Sequence, residues 1–124
     1  MLQALWSMDI VTPDEFRPAG VIVFHLRRVF GDYYQEGRVF GGDGQAYYDG
    51  TYTIENFGLR GSFRAIAYGG ADATAFGPSM HRDVEFDALL ERNVERDVIV
   101  MDGRAGDDAQ KAFDLRITRR CAIG

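Results

Sequence analysis

The sequence predicts an all-β chain closed into an antiparallel, up-and-down barrel of about eight strands. Three observations carry that expectation. Apolar and polar residues alternate with period two through most of the 124 residues, helical periodicity is scarce, and short turns rich in Gly and Asn separate the runs. Closure follows because an open sheet of this length would leave two edge strands able to template aggregation. A barrel of this size either fills with side chains or holds one small ligand. At this length, the whole of 1–124 reads as one domain.

The strands can be justified in chain order. "ALWSMDIV" at 4–11 and "GVIVFHL" at 20–26 are apolar on both faces, as is "VIVM" at 98–101. Such runs are strands buried on both sides or strands whose outer face meets another chain, so a homodimer is expected. At 46–55, Ala46, Tyr48, Gly50, Tyr52 and Ile54 take one face and Tyr47, Asp49, Thr51, Thr53 and Glu55 the other. The turn Asn56-Phe57-Gly58 leads into 59–68, where Leu59, Gly61, Phe63, Ala65 and Ala67 again share a face. Val84, Phe86, Ala88 and Leu90 oppose acidic neighbours, and Phe113, Leu115 and Ile117 oppose Asp114, Arg116 and Thr118. The stretch 69–82 is irregular, with room for at most a short helical turn or a loop crossing one barrel end. Trp6, Phe24, Tyr48, Tyr52, Phe63, Phe86 and Phe113 fall at inward positions, so they form either the core or the lining of a cavity for a small apolar ligand.

Charge and motif content narrow the function. A net charge of −5 argues against a nucleic-acid-binding surface. No segment has the roughly 20 apolar residues of a membrane helix, and the opening residues lack the basic start of a secretory signal. A cytoplasmic protein that binds neither nucleic acid nor membrane is therefore expected. The single Cys121 makes no internal disulfide or zinc motif and reads as a small, semi-buried residue. His25 and His81 are too few for a three-histidine metal site. No G-K-[ST] phosphate loop or G-x-S-x-G nucleophile turn occurs, and Asp83, Glu85 and Asp87 occupy the polar face of one strand. Neither an enzyme nor a cofactor or metal is expected.

One stretch remains. "RRVFGDYYQEGRVFGGDGQAYYDG" (27–50) says nearly the same thing twice, Arg-Val-Phe-Gly-Asp with Tyr-Tyr returning as Arg-Val-Phe-Gly-Gly-Asp with Tyr-Tyr. No helix pattern follows to bind phosphate, and the spaced acids of a calcium loop are missing. Gly41-Gly42-Asp43 is expected to be a turn, with glycine supplying positive φ and Asp43 bonding nearby amides.

The motif G-R-V-F-G-G-D followed by Y-Y-x-G-x-Y, Gly37 to Tyr52, together with "ALWSMDIV", "AGVIVF" and "LRITRR", resembles the GrlR family of type III secretion negative regulators. The resemblance implies a small lipocalin-like barrel, a dimer, a hydrophobic cavity, and action without catalysis by binding a transcriptional activator. The family's acidic partner-binding loop would fall at Ile54 to Gly58, assigning Glu55, Asn56 and Phe57 to partner binding. Only Glu55 is acidic there. A second departure is the insertion "LRRVFGDYYQE" (26–36), expected to lengthen the hairpin on either side of it or to project as a lip.

Overall fold

The computed structural model describes residues 2–31, 33–68, 73–77, 80–90, 97–105 and 112–123. Eight strands follow one another: β1 (Ala4–Val11), β2 (Phe16–Phe30), β3 (Tyr34–Gly42), β4 (Ala46–Glu55), β5 (Gly58–Ala67), β6 (His81–Leu89), β7 (Val98–Ala105) and β8 (Ala112–Ala122). Each pairs antiparallel with the next, and β8 returns to β1, so the sheet closes as an up-and-down barrel. The alternating faces explain why. Trp6, Met8 and Ile10 of β1 are buried while Leu5, Ser7 and Asp9 between them are partly exposed, and β7 buries Ile99 and Met101 but leaves Val100 out. Period-two burial of one face is what a half-buried strand requires.

Inside, large and small residues alternate around the barrel. One row runs Gly37↔Tyr52↔Gly61↔Phe86↔Gly103↔Phe113 across six successive strands. A Cβ at Gly37 would lie 2.6 Å from a Tyr52 ring carbon and one at Gly103 would lie 2.6 Å from a Phe113 ring carbon, while Gly61 is pressed still closer by Phe86. The rings stand where the neighbouring strands have no side chain, which is how a narrow barrel accommodates them. A second row, Phe24↔Val39↔Gly50↔Phe63↔Val84↔Ala105, instead grades twice from a ring through Val to a small residue.

Segment 26–36 lengthens the β2–β3 hairpin. Arg28↔Glu36, Val29↔Gln35 and Phe30↔Tyr34 continue its register after a bulge between Leu26 and Arg28, and Gly31 takes a φ of 65° at the tip. Gly41 and Gly42 require a correction. They are the last residues of β3, paired with Tyr48 and Tyr47, and the turn proper occupies 43–45. Close approach of strands, not positive φ, demands glycine here: a Cβ on Gly41 would strike the Val21 carbonyl and one on Gly42 would lie 2.6 Å from the Ala46 carbonyl oxygen.

Of the irregular stretch, 81–82 belongs to β6, residues 69–72, 78 and 79 lie outside the described residues, and 73–77 form a strap without helix. Thr74 and Gly77 bridge each other, and Arg17 Nη2 donates to the Ala75 carbonyl at 2.6 Å.

The glycine rows can be tested by unfolding in urea. Gly61→Ala is expected to lower stability by about 2–3 kcal/mol, because both the Phe86 ring and the Thr51 carbonyl block its Cβ. Gly103→Ala, obstructed only by the movable side chains of Phe113 and Leu115, is expected to cost about 1 kcal/mol. Equal costs at the two sites would contradict the packing described.

Candidate functional site

The seven inward aromatics are drawn together, with Phe113 only half-buried. Phe24 meets Tyr52 edge-on at 5.2 Å and Phe86 at 6.1 Å, Phe86 meets Phe63 at 6.1 Å, and Phe63 meets Tyr48 at 5.1 Å. Such edge-on and tilted ring pairs add stabilisation beyond their area. Phe76 of the strap completes the set, 5.7 Å from Tyr48, 5.5 Å from Phe63 and 5.9 Å from Phe113. No periodicity singles it out, because it lies outside any strand. Trp6 is buried with its Nε1–H donated to the Leu2 carbonyl at 2.8 Å. Ring against ring therefore occupies the interior that a ligand would need.

Asp43 organises the end of the barrel beneath that strap. Its Oδ1 accepts the N–H groups of Gln45 and Ala46 at 2.7 and 2.8 Å, which holds the 43–45 turn. The single hydroxyl proton of Tyr48 is shared between Asp43 Oδ2 and the Ala19 carbonyl, each at 2.7 Å. Tyr68 donates to the Asp43 carbonyl at 2.7 Å. The acid and second tyrosine of the doubled motif thus form one structural unit, turn and strand anchor together. Burial first, then the Asp43 carboxylate, holds the Tyr48 phenol well above the ordinary range, and burial moves Tyr52 in the same direction.

The opposite end has a different chemistry. Asn56 and Phe57 have φ of 50° and 68°, so both centre residues of the β4–β5 hairpin are left-handed. That is the preferred hairpin geometry, but glycine normally occupies the second position. A phenylalanine there costs roughly 1–2 kcal/mol, and its ring is 57% exposed. Three chain segments meet around it. The Asn56 N–H donates to the Tyr33 carbonyl at 3.1 Å, and the Leu90 N–H donates to the Phe57 carbonyl at 2.9 Å. Tyr34 lies opposite Glu55, Leu89 opposite Gly58, and the Phe30 ring 5.5 Å from Tyr34. Phe30, Tyr33, Phe57 and Leu89 are 53%, 68%, 57% and 45% exposed. These exposed apolar side chains form a rim at one end of the barrel. Beside it runs a groove of about 310 Å³ lined by Glu55, Asn56, Leu59, Arg60, Asp87 and Leu89.

Glu55, Asn56 and Phe57 are therefore together, but the rim's other members were not singled out from the sequence. Phe30, Tyr33 and Tyr34 sit in the first copy of the doubled motif, and that duplication was the available signal. Leu89 carried none.

The remaining reactive residues do not converge. Asp83 is 2.9 Å from Arg64, which holds its carboxyl below the usual range, and Arg104 approaches Glu85 and Asp87 at 3.8 and 4.0 Å. These pairs lie on the outer, solvated face and contribute little. Among the described residues, no group of three His, Cys, Asp or Glu side chains is placed to hold a metal. Cys121 is exposed, not semi-buried, because it lies on the outer face of β8 across from Leu5. Among the described residues no helix is long and apolar enough to cross a membrane, which says nothing of a β-barrel.

No family model, curated protein or solved structure matches this chain.

The buried tyrosines give a pH signature. The folded chain keeps protons that the unfolded chain releases near pH 10, so stability is complete below that pH and falls above it. Urea titrations from pH 9 upward are expected to show a loss of up to about 1.4 kcal/mol per pH unit for each such tyrosine. Tyr48→Phe is expected to flatten that slope while costing about 1–2 kcal/mol at neutral pH. An unchanged alkaline slope would remove Tyr48 from the account.

Proposed function

We propose that this chain is a non-enzymatic regulatory protein that acts by binding a protein partner through the apolar rim around Phe57. The partner class implied by the GrlR resemblance is a transcription regulator. One observation carries the reading: a large ring is kept exposed, in a backbone conformation that disfavours it, at the position where the resemblance puts partner recognition. Around it, Phe30, Tyr33 and Leu89 supply further apolar surface, while Glu55, Asn56, Arg60 and Asp87 supply polar groups. An apolar centre with a polar border is the ordinary anatomy of a protein interface. The rival reading, a carrier of a small apolar ligand, needs open volume where the interior rings already touch.

Folding and binding should respond in opposite directions at one residue. Phe57→Gly is expected to raise stability by about 1 kcal/mol, the relief of left-handed strain being partly offset by the freer unfolded chain. The same variant, and a Glu55→Ala/Phe57→Ala pair, should lose a partner that the wild type retains in affinity capture from the source organism. Recovery of the same partners by all three proteins would rule out the rim as the binding surface.

A further inference from the structure

Strand β6 opens its inward series on an arginine. His81, Asp83 and Glu85 are exposed, while Arg82 is half-buried and Val84 and Phe86 are buried. Arg82 lies across from Ala65, which lies across from Tyr48, so it belongs to the end of the barrel beneath the strap. Its charge has no counterpart there. Arg64 is matched by Asp83, whereas among the described residues Arg82 makes no ion pair. Asp43, the carboxylate at this end, is already committed to Gln45, Ala46 and Tyr48. Arg82 Nε is buried without an acceptor, the one such side-chain atom among the described residues. The strap is what covers it: a Cβ on Gly77 would lie 2.6 Å from Arg82 Nη2 and 3.1 Å from Nε and Cζ, so the Gly77 backbone rests directly on the guanidinium. A guanidinium covered in this way gives up water and gains no acceptor in return, which is unfavourable. Buried polar groups without partners mark places where an ion or a water belongs.

We propose that Arg82 is an anion-binding site, taking the carboxylate of a small organic acid between its guanidinium and the strap. Three features choose that class. Nε and a neighbouring Nη form a fork that the two oxygens of a carboxylate fill together. The neighbours are apolar, Ala65 opposite and Phe76 beside Gly77, so a singly charged carboxylate is less costly to desolvate there than a phosphate. Direct contact between Gly77 and the guanidinium bounds the size of the acid. The strap can yield without losing its own bonds, because Thr74 and Gly77 donate to each other's carbonyls at 3.0 and 3.2 Å. Its bond to the barrel wall is the one from Arg17 to the Ala75 carbonyl, which also sets a second guanidinium at this end. Since Nε is reached only when Gly77 moves off it, occupation of the site and a shift of the strap are one event.

The site lies at the end opposite the Phe57 rim and does not rest on the partner reading, so Phe57→Gly is expected to bind the anion as the wild type does. The test is titration of the full chain with sodium acetate, and separately with inorganic phosphate, against sodium chloride at equal ionic strength, followed in proton–nitrogen correlation spectra that resolve arginine Nε–H groups. Acetate is expected to give a saturable downfield shift of the Arg82 Nε–H together with a shift of the Gly77 amide, and phosphate to bind about tenfold more weakly. Arg82→Lys, which keeps the charge without the fork, identifies the Nε–H signal by its loss and is expected to abolish the Gly77 response. Gly77→Ala, whose Cβ pushes the strap off the guanidinium, is expected to bind acetate several-fold more tightly, the strap no longer having to be displaced. No saturable shift with either anion, which would leave Nε to a water, phosphate binding as tight as acetate, an unchanged Gly77 response in Arg82→Lys, or weaker binding by Gly77→Ala would overturn the proposal.

Discussion

The interior of a closed eight-strand barrel is too narrow for bulky side chains to face one another from adjacent strands, and the rest of this structure depends on how that constraint is met. Tyr52 and Phe86 each stand between glycines on the strands to either side, and Phe113 stands opposite Gly103 on one side. Because the gaps are backbone deep, the rings have room inside the barrel, where Phe24 meets both Tyr52 and Phe86. Register and packing are therefore one problem. A slip of one residue would put rings outside, losing burial along whole strands.

Closure also sorts the chain's turns to two ends with different tasks. At one end Asp43, Tyr48, Tyr68 and the strap bearing Phe76 knit turn, strand and loop into a hydrogen-bonded, ring-packed cap. At the other, the hairpin tips around Tyr33 and Phe57 expose what the first end buries. The near-repeat maps onto this division. Its first copy spans the β2–β3 hairpin at the exposed end and its second the β3–β4 hairpin at the capped end. The same residue types serve opposite purposes: Tyr48 is buried and anchored, whereas Tyr33 is open to solvent.

Stability and exposure are in tension at the open end. Phe57 occupies a left-handed position that glycine would fill without strain, and the overhanging edge of β2 leaves backbone groups without a neighbouring strand. Neither feature helps the barrel fold. On the proposed function, Phe57 is surface kept for contact with a protein partner.

Alternation along the chain determined the all-β class, the inward aromatics and most strand limits, since period two is a local property and burial of one face follows from it. Trp6, Phe24, Tyr48, Tyr52, Phe63 and Phe86 were legible for that reason. The role of Gly41 and Gly42 was not, because a strand glycine needed for close approach and a turn glycine needed for positive φ look alike in sequence. Nor could alternation pair Gly37 with Tyr52 or Gly61 with Phe86, or seat Phe76 among the rings. Those depend on register and on a loop's path. The rim and the free edge belong wholly to the tertiary structure: they exist because β2 and β3 extend beyond β1, and because turns distant in sequence are brought to one end when the sheet closes.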